Sequence, residues 1–168
     1  FQSFLDVMTA KLANAHAIEL VMALFPQVWD PAEAAGWLKD MNEAPAADNT
    51  PKDVLLQVAI GDAQVSSLGA HVMARAYGAR TVAPETRPIW GIEEAEGGFT
   101  GSAIVEWFYP DGAVEPVENL PPDDDLDTHE CPRREAAAQQ QTRDFFDLGV
   151  VNQHCDGVCE GIRQGFCD

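Results

Sequence analysis

The sequence predicts an α/β domain in which parallel strands are flanked by helices. Residues 53–60, DVLLQVAI, form a nearly unbroken apolar run of strand length, the pattern of a strand buried on both faces. Gly61-Asp62 follows at once, and then apolar residues at helical spacing: Val65, Leu68, Val72, Met73 and Tyr77. Gly78 suits the position just past the helix end. Strand, tight turn and helix in this order make half of a βαβ unit. Residues 102–109, SAIVEWFY, supply a second strand rich in β-branched and aromatic side chains.

The remaining elements follow from local spacing. Phe4, Val7, Met8 and Leu12, then Ile18, Val21, Met22 and Phe25, place helix over Phe1 to Trp29, with a break near Asn14 and His16 and an end at Pro26. Asp30-Pro31 reads as an N-cap followed by proline at the first helical position. A short helix then runs through Ala34, Trp37, Leu38 and Met41, and residues 42–50 form a loop. Beyond Gly78 the chain is extended and punctuated by Pro84, Pro88, Gly97 and Gly98. Asp111-Gly112 ends the second strand. A loop rich in proline and acid covers Val114 to Asp127, and a last helix runs from near Pro132 to Leu148.

At 168 residues and 18.2 kDa, with 46% hydrophobic residues, the chain can bury a core. It has no apolar run long enough for a transmembrane helix. It opens at Phe1, inside an apolar pattern, and so reads as a fragment or a processed product. The net charge of −18, from 10 basic and 28 acidic residues, argues against a nucleic-acid partner, which needs clustered Lys and Arg. Twelve acids and no Lys or Arg lie between Arg87 and Arg133, the composition of a solvated acidic surface. Cys131, Cys155, Cys159 and Cys167 gather around a polar, glycine-rich tail that has little to bury. Disulfides and an oxidising compartment are expected, with Cys155–Cys159 or Cys159–Cys167 as candidate pairs and Cys131 taking the remaining cysteine.

The order strand, Asp62, helix, strand, loop, His129, helix resembles the closing half of an α/β-hydrolase. In that fold the catalytic chain order is Ser, then Asp or Glu, then His. The segments DVLLQVAIGDAQVSSLGAHVMAR, RPIWGI, GSAIVEW and DTHECPRREAAAQQQ, with the cysteine-containing tail, are similar to a group of uncharacterised bacterial secreted lipase- and esterase-like proteins. The resemblance implies the C-terminal part of an α/β-hydrolase sheet, incomplete without an upstream half. Within it, residues 1–50 follow the nucleophile region as a candidate lid or acyl-pocket segment, 51–149 form the half that carries acid and histidine, and 150–168 form the Cys-rich tail. The catalytic residues it implies are Asp62 and His129, without cofactor or metal. No Gly-x-Ser-x-Gly occurs in the chain. The nucleophile is therefore expected in the missing N-terminal half, the substrate is an ester or a lipid, and the 168 residues alone are expected to be inactive.

The chemistry suits these residue types. A serine hydroxyl is a weak nucleophile until a neutral imidazole accepts its proton, and a carboxylate both orients that imidazole and stabilises its charged form. Blander roles exist for each residue. Asp62 suits an Asx-turn or helix cap, and His129 a surface position between Asp127 and Glu130. His71 and His154 read as structural, Ser66 and Ser67 as first-turn residues of a helix, and Trp90, Trp107 and Phe108 as core or sheet packing. Arg133 and Arg134 suit ion pairs with the acidic loop. The alternative function is a non-catalytic extracellular binding module. It would hold calcium in Asp123-Asp124-Asp125-Leu126-Asp127, or zinc through His154, Cys155, Cys159 and Cys167.

Overall fold

A computed structural model describes the chain except at positions 1, 13, 30, 31, 33, 44, 46, 48, 119, 166 and 168. The expected cap at Asp30-Pro31 lies outside the described residues. The chain divides into two compact units, Phe1–Leu38 and Lys39–Asp168. The first holds α1 (Gln2–Lys11) and α2 (Ala15–Trp29), then a 3-10 turn over Ala34–Trp37. Asn14 marks the break between the two helices and its side chain accepts the N–H of Ala17 at 3.0 Å. Contrary to expectation, α2 continues past Pro26 to Trp29. Proline's fixed φ of about −65° is itself helical, so the chain keeps its course through this position at the cost of one backbone hydrogen bond.

The second unit is an α/β domain with a four-stranded, all-parallel sheet. The one-turn α3 (Leu38–Met41) falls at the boundary of the two units, and the elements that follow are β1 (Leu55–Ala59), α4 (Ser67–Ala76), β2 (Arg80–Val82), β3 (Glu93–Ala95), β4 (Ala103–Trp107) and α5 (Ala136–Leu148). The strand order is β1-β4-β2-β3. Leu55 pairs with Ala103 and Ala59 with Trp107, so β1 and β4 end level with one another.

The continuous apolar reading of β4 has a direct cause. Ala103, Val105 and Trp107 enter a core with Ala138 of α5 and the tail residues Val151, Cys159 and Cys167. Ile104 enters a second core with Ala74 of α4, Val58, Ala79 and Ile89. Successive side chains of a strand point to opposite faces, so helices on both sides demand apolar residues at consecutive positions. All five residues of β4 are buried, whereas three of the five in β1 are half-buried. The strand expected to be buried on both faces is thus the edge strand of the described sheet, and β4 is the interior one. The short β2 and β3 were expected only as extended chain. Arg80, Glu93 and Glu94 mask them, and the pairing of β2 to β4 and of β3 to β2 makes them strands.

Candidate active site

Parallel strands present their carboxyl ends on one side, and there open α/β sheets bind ligands. The chain leaves β1 through Ile60 and Gly61 and reaches Asp62. Gly61 has φ +87°, and a Cβ on it would sit 2.0 Å from the Ala113 carbonyl oxygen, so the turn needs glycine. Asp62 then divides its two oxygens. Oδ1 accepts the N–H groups of Gln64 at 2.8 Å and Val65 at 2.7 Å, the Asx-turn that its sequence position suggests. Oδ2 lies 2.8 Å from Nδ1 of His129, which is 67 positions further along the chain. One carboxylate therefore closes the turn with one oxygen and meets His129 with the other.

His129 arrives on the loop that returns after β4. Thr128, fully buried, donates its hydroxyl to the Ile60 carbonyl at 3.0 Å and pins that loop against the end of β1. Cys131, two residues beyond His129, is buried and joined to Cys167. The His129 side chain is 23% exposed and that of Asp62 10%, so the imidazole stays accessible while its carboxylate is largely shielded.

A groove of about 500 Å³ begins at this pair. It is lined by all five residues of β1, by Gly69, Ala70 and Met73 of α4, and by Pro132 and Arg133. Consecutive strand residues face opposite sides of a sheet, so a groove touching all five runs along the strand's edge rather than over one face. The Ala103 N–H donates to the Val54 carbonyl, and the Ile60 N–H to that of Trp107. By strand parity, the backbone groups of Leu55, Gln57 and Ala59 point away from β4 and into the groove. The Gln57 side chain turns to α5, donating to the Ala138 carbonyl at 2.9 Å.

A second cluster beside the site escaped the sequence reading. Glu106, on the α4 face of β4, is 2% exposed. It accepts both Nε of Arg87 at 2.6 Å and a terminal guanidinium N–H of the same residue at 2.8 Å, and its Oε1 lies 2.7 Å from Nε2 of His71. Arg87 also reaches Glu115 at 2.6 Å, and Glu115 is hydrogen-bonded to the Ser67 hydroxyl. Burial pushes the Glu106 carboxyl upward, but the bonds from Arg87 and His71 outweigh it and hold it below its ordinary value. The signal was present: a charged residue inside SAIVEWFY must find a partner if the strand is interior. Ser67, His71, Arg87 and Glu115 line a second cavity of about 500 Å³ that shares Asp62 and Ser66 with the first.

Comparison with protein-family models, with curated proteins and with solved structures finds no match.

The other candidate residues divide clearly. Cys131 pairs with Cys167 and Cys155 with Cys159, one of the expected arrangements. That pairing engages all four cysteine sulfurs, the ligands the zinc alternative would need as thiolates, and His154 sits 2.8 Å from Asp144 Oδ2. In the acidic loop Asp123 caps the N–H of Asp125, and Asp127 is engaged by Ala63, Gln64 and His129. Among the described residues no three His, Cys, Asp or Glu side chains converge as a metal site. Ser66 caps the N–H of Leu68, and Trp107 is core. Trp90, expected to pack, is 84% exposed with the Arg75 guanidinium 5.4 Å from its ring centroid. Arg133 pairs with Glu130 at 3.1 Å. No described helix is long and apolar enough to cross a membrane.

Proposed function

We propose that this chain carries the acid and the base of a secreted serine ester hydrolase, lipase- or esterase-like, built on an α/β-hydrolase type of sheet. The observation that carries the reading is the 2.8 Å approach of His129 Nδ1 to Asp62 Oδ2 at the carboxyl end of a parallel sheet. With Nδ1 engaged by the carboxylate, Nε2 is the nitrogen left to take a proton from a serine hydroxyl and return it to the leaving alcohol. Asp62 stabilises the imidazolium that forms between these steps, and the two N–H groups on its Oδ1 keep the carboxylate from turning away.

The serine itself comes from residues outside the 168, because no Gly-x-Ser-x-Gly is present among them. The outward-pointing backbone of β1 supports a sheet that continues on that side, since an apolar strand edge left open invites pairing. Two disulfides accord with export into an oxidising compartment.

The test is hydrolysis of a short-chain nitrophenyl ester by the 168-residue chain and by the protein extended with its upstream coding sequence. The extended protein should be active, with Asp62→Asn lowering kcat by roughly 10⁴-fold and His129→Ala lowering it at least as far. The 168 residues alone should show no activity. Hydrolysis that survives His129→Ala in either form would overturn the assignment.

A further inference from the structure

Asp127 stands where the two loops of the site meet. Its Oδ1 accepts the N–H of Ala63, the residue after Asp62, at 2.8 Å, and the N–H of His129 at 3.1 Å. Its Oδ2 accepts the side-chain amide of Gln64 at 2.7 Å. An Asx-turn alone would explain the bond to His129, two residues away. It would not explain the bonds to Ala63 and Gln64, which cross 64 and 63 positions of sequence. The residue is held from behind as well: Arg163 Nε donates to the Asp127 carbonyl and an Arg163 terminal N–H to that of Asp125, each at 2.8 Å. The backbone N–H groups of Arg163 and Gln164 are anchored by Asp111.

We propose that Asp127 is a positioning residue, a carboxylate clasp that fixes the His129 loop to the Asp62 turn and so sets the histidine against its acid. The inference rests on reading Asp62 and His129 as orienting acid and base. A single oxygen joins the backbone on either side of the pair, so a shift of one loop is transmitted to the other. Without the clasp, the Thr128 hydroxyl bond to Ile60 still joins the two loops, and the domain keeps its fold while the side-chain pair loosens. Burial opposes ionisation of Asp127, and the bonds from Gln64, Ala63 and His129 outweigh it, so its carboxyl titrates below the ordinary range.

The experiment uses the 168-residue chain with ¹⁵N-labelled histidine side chains. The Nδ1–H resonance of His129, assigned by its loss in His129→Ala, should be present and slow to exchange with water. Asp62→Ala should remove that protection, which tests the pair independently of the clasp. Asp127→Asn keeps an acceptor oxygen for Ala63 and His129, and Gln64 can rotate its amide to face the new NH₂, so protection should survive. Asp127→Ala and Asp127→Glu, the first without the acceptor and the second with it displaced by a methylene, should each speed exchange by about tenfold, the loss of one net hydrogen bond. Circular dichroism should report a retained fold. If Asp127→Ala fails to fold, the Asn and Glu variants still decide: equal exchange in the two overturns the clasp. Wild-type exchange in both Ala and Glu variants overturns it while leaving the Asp62–His129 pair intact. A wild-type chain without a protected His129 proton overturns the pair and the clasp together.

Discussion

Removing the Cys131–Cys167 bridge should cost far more stability than removing Cys155–Cys159. The two crosslinks span 36 and 4 positions of sequence. A crosslink acts mainly by restricting the unfolded chain, and the restriction grows with the logarithm of the closed loop, to about 4 kcal/mol for the long loop and about 2 kcal/mol for the short one. The replacements should be to alanine, because Cys131 and Cys159 are almost completely buried and a serine hydroxyl there would need a partner. The assay is urea unfolding of Cys131→Ala/Cys167→Ala and Cys155→Ala/Cys159→Ala, followed by near-UV dichroism. At a slope of about 2 kcal/mol per molar, the midpoint should fall by about 2 M for the first pair and about 1 M for the second. The long bridge also ties the tail that carries Arg163 to the loop that carries His129, so its loss should loosen the site ahead of global unfolding. Equal losses for the two pairs, or a larger loss for the short one, would refute the chain-entropy reasoning.

Glu106→Gln should destabilise the domain by roughly 3 kcal/mol, since it leaves Arg87 partly buried with a weakened partner; thermal unfolding measures it. The Glu106 carboxyl is lowered on folding, so its contribution is complete above the ordinary carboxylate pKa of about 4.3 and is lost as pH falls through the lower folded value. Wild-type stability should therefore decline on acidification in that window more steeply than that of the variant, and parallel declines would contradict the assignment. Gly61→Ala should cost at least about 2 kcal/mol, from a left-handed backbone and a Cβ driven into the Ala113 carbonyl. An unchanged unfolding midpoint would show that the turn relaxes freely.

Much of this architecture was legible because it rests on short-range rules. DVLLQVAI and SAIVEWFY each hold a strand, and the helix after Asp62 ends at Ala76, with Tyr77 as its C-cap and Gly78 beyond it at φ +61°. The residues of the candidate pair were legible too, as an acid and a histidine following successive long strands. What escaped was set by neighbours distant in sequence. β2 and β3, three residues each, carry no periodicity of their own and exist through pairing. The Glu106–Arg87–His71 cluster joins β4, the segment between β2 and β3, and α4, and only its odd member, a glutamate within an apolar strand, left a trace.

The sequence by itself determined the class of fold, the existence of the main elements, and which side chains could do acid–base chemistry. Hydrophobic period and turn chemistry are local, and a residue's protonation chemistry travels with its type. The tertiary structure decided that β4 rather than β1 lies inside the described sheet, that Asp62 serves the turn with one oxygen and His129 with the other, and that Asp127 locks the two loops together. Each depends on strand order or loop closure across 48 to 67 positions of sequence, where many pairings fit one pattern of apolar and polar residues and only simultaneous packing selects among them.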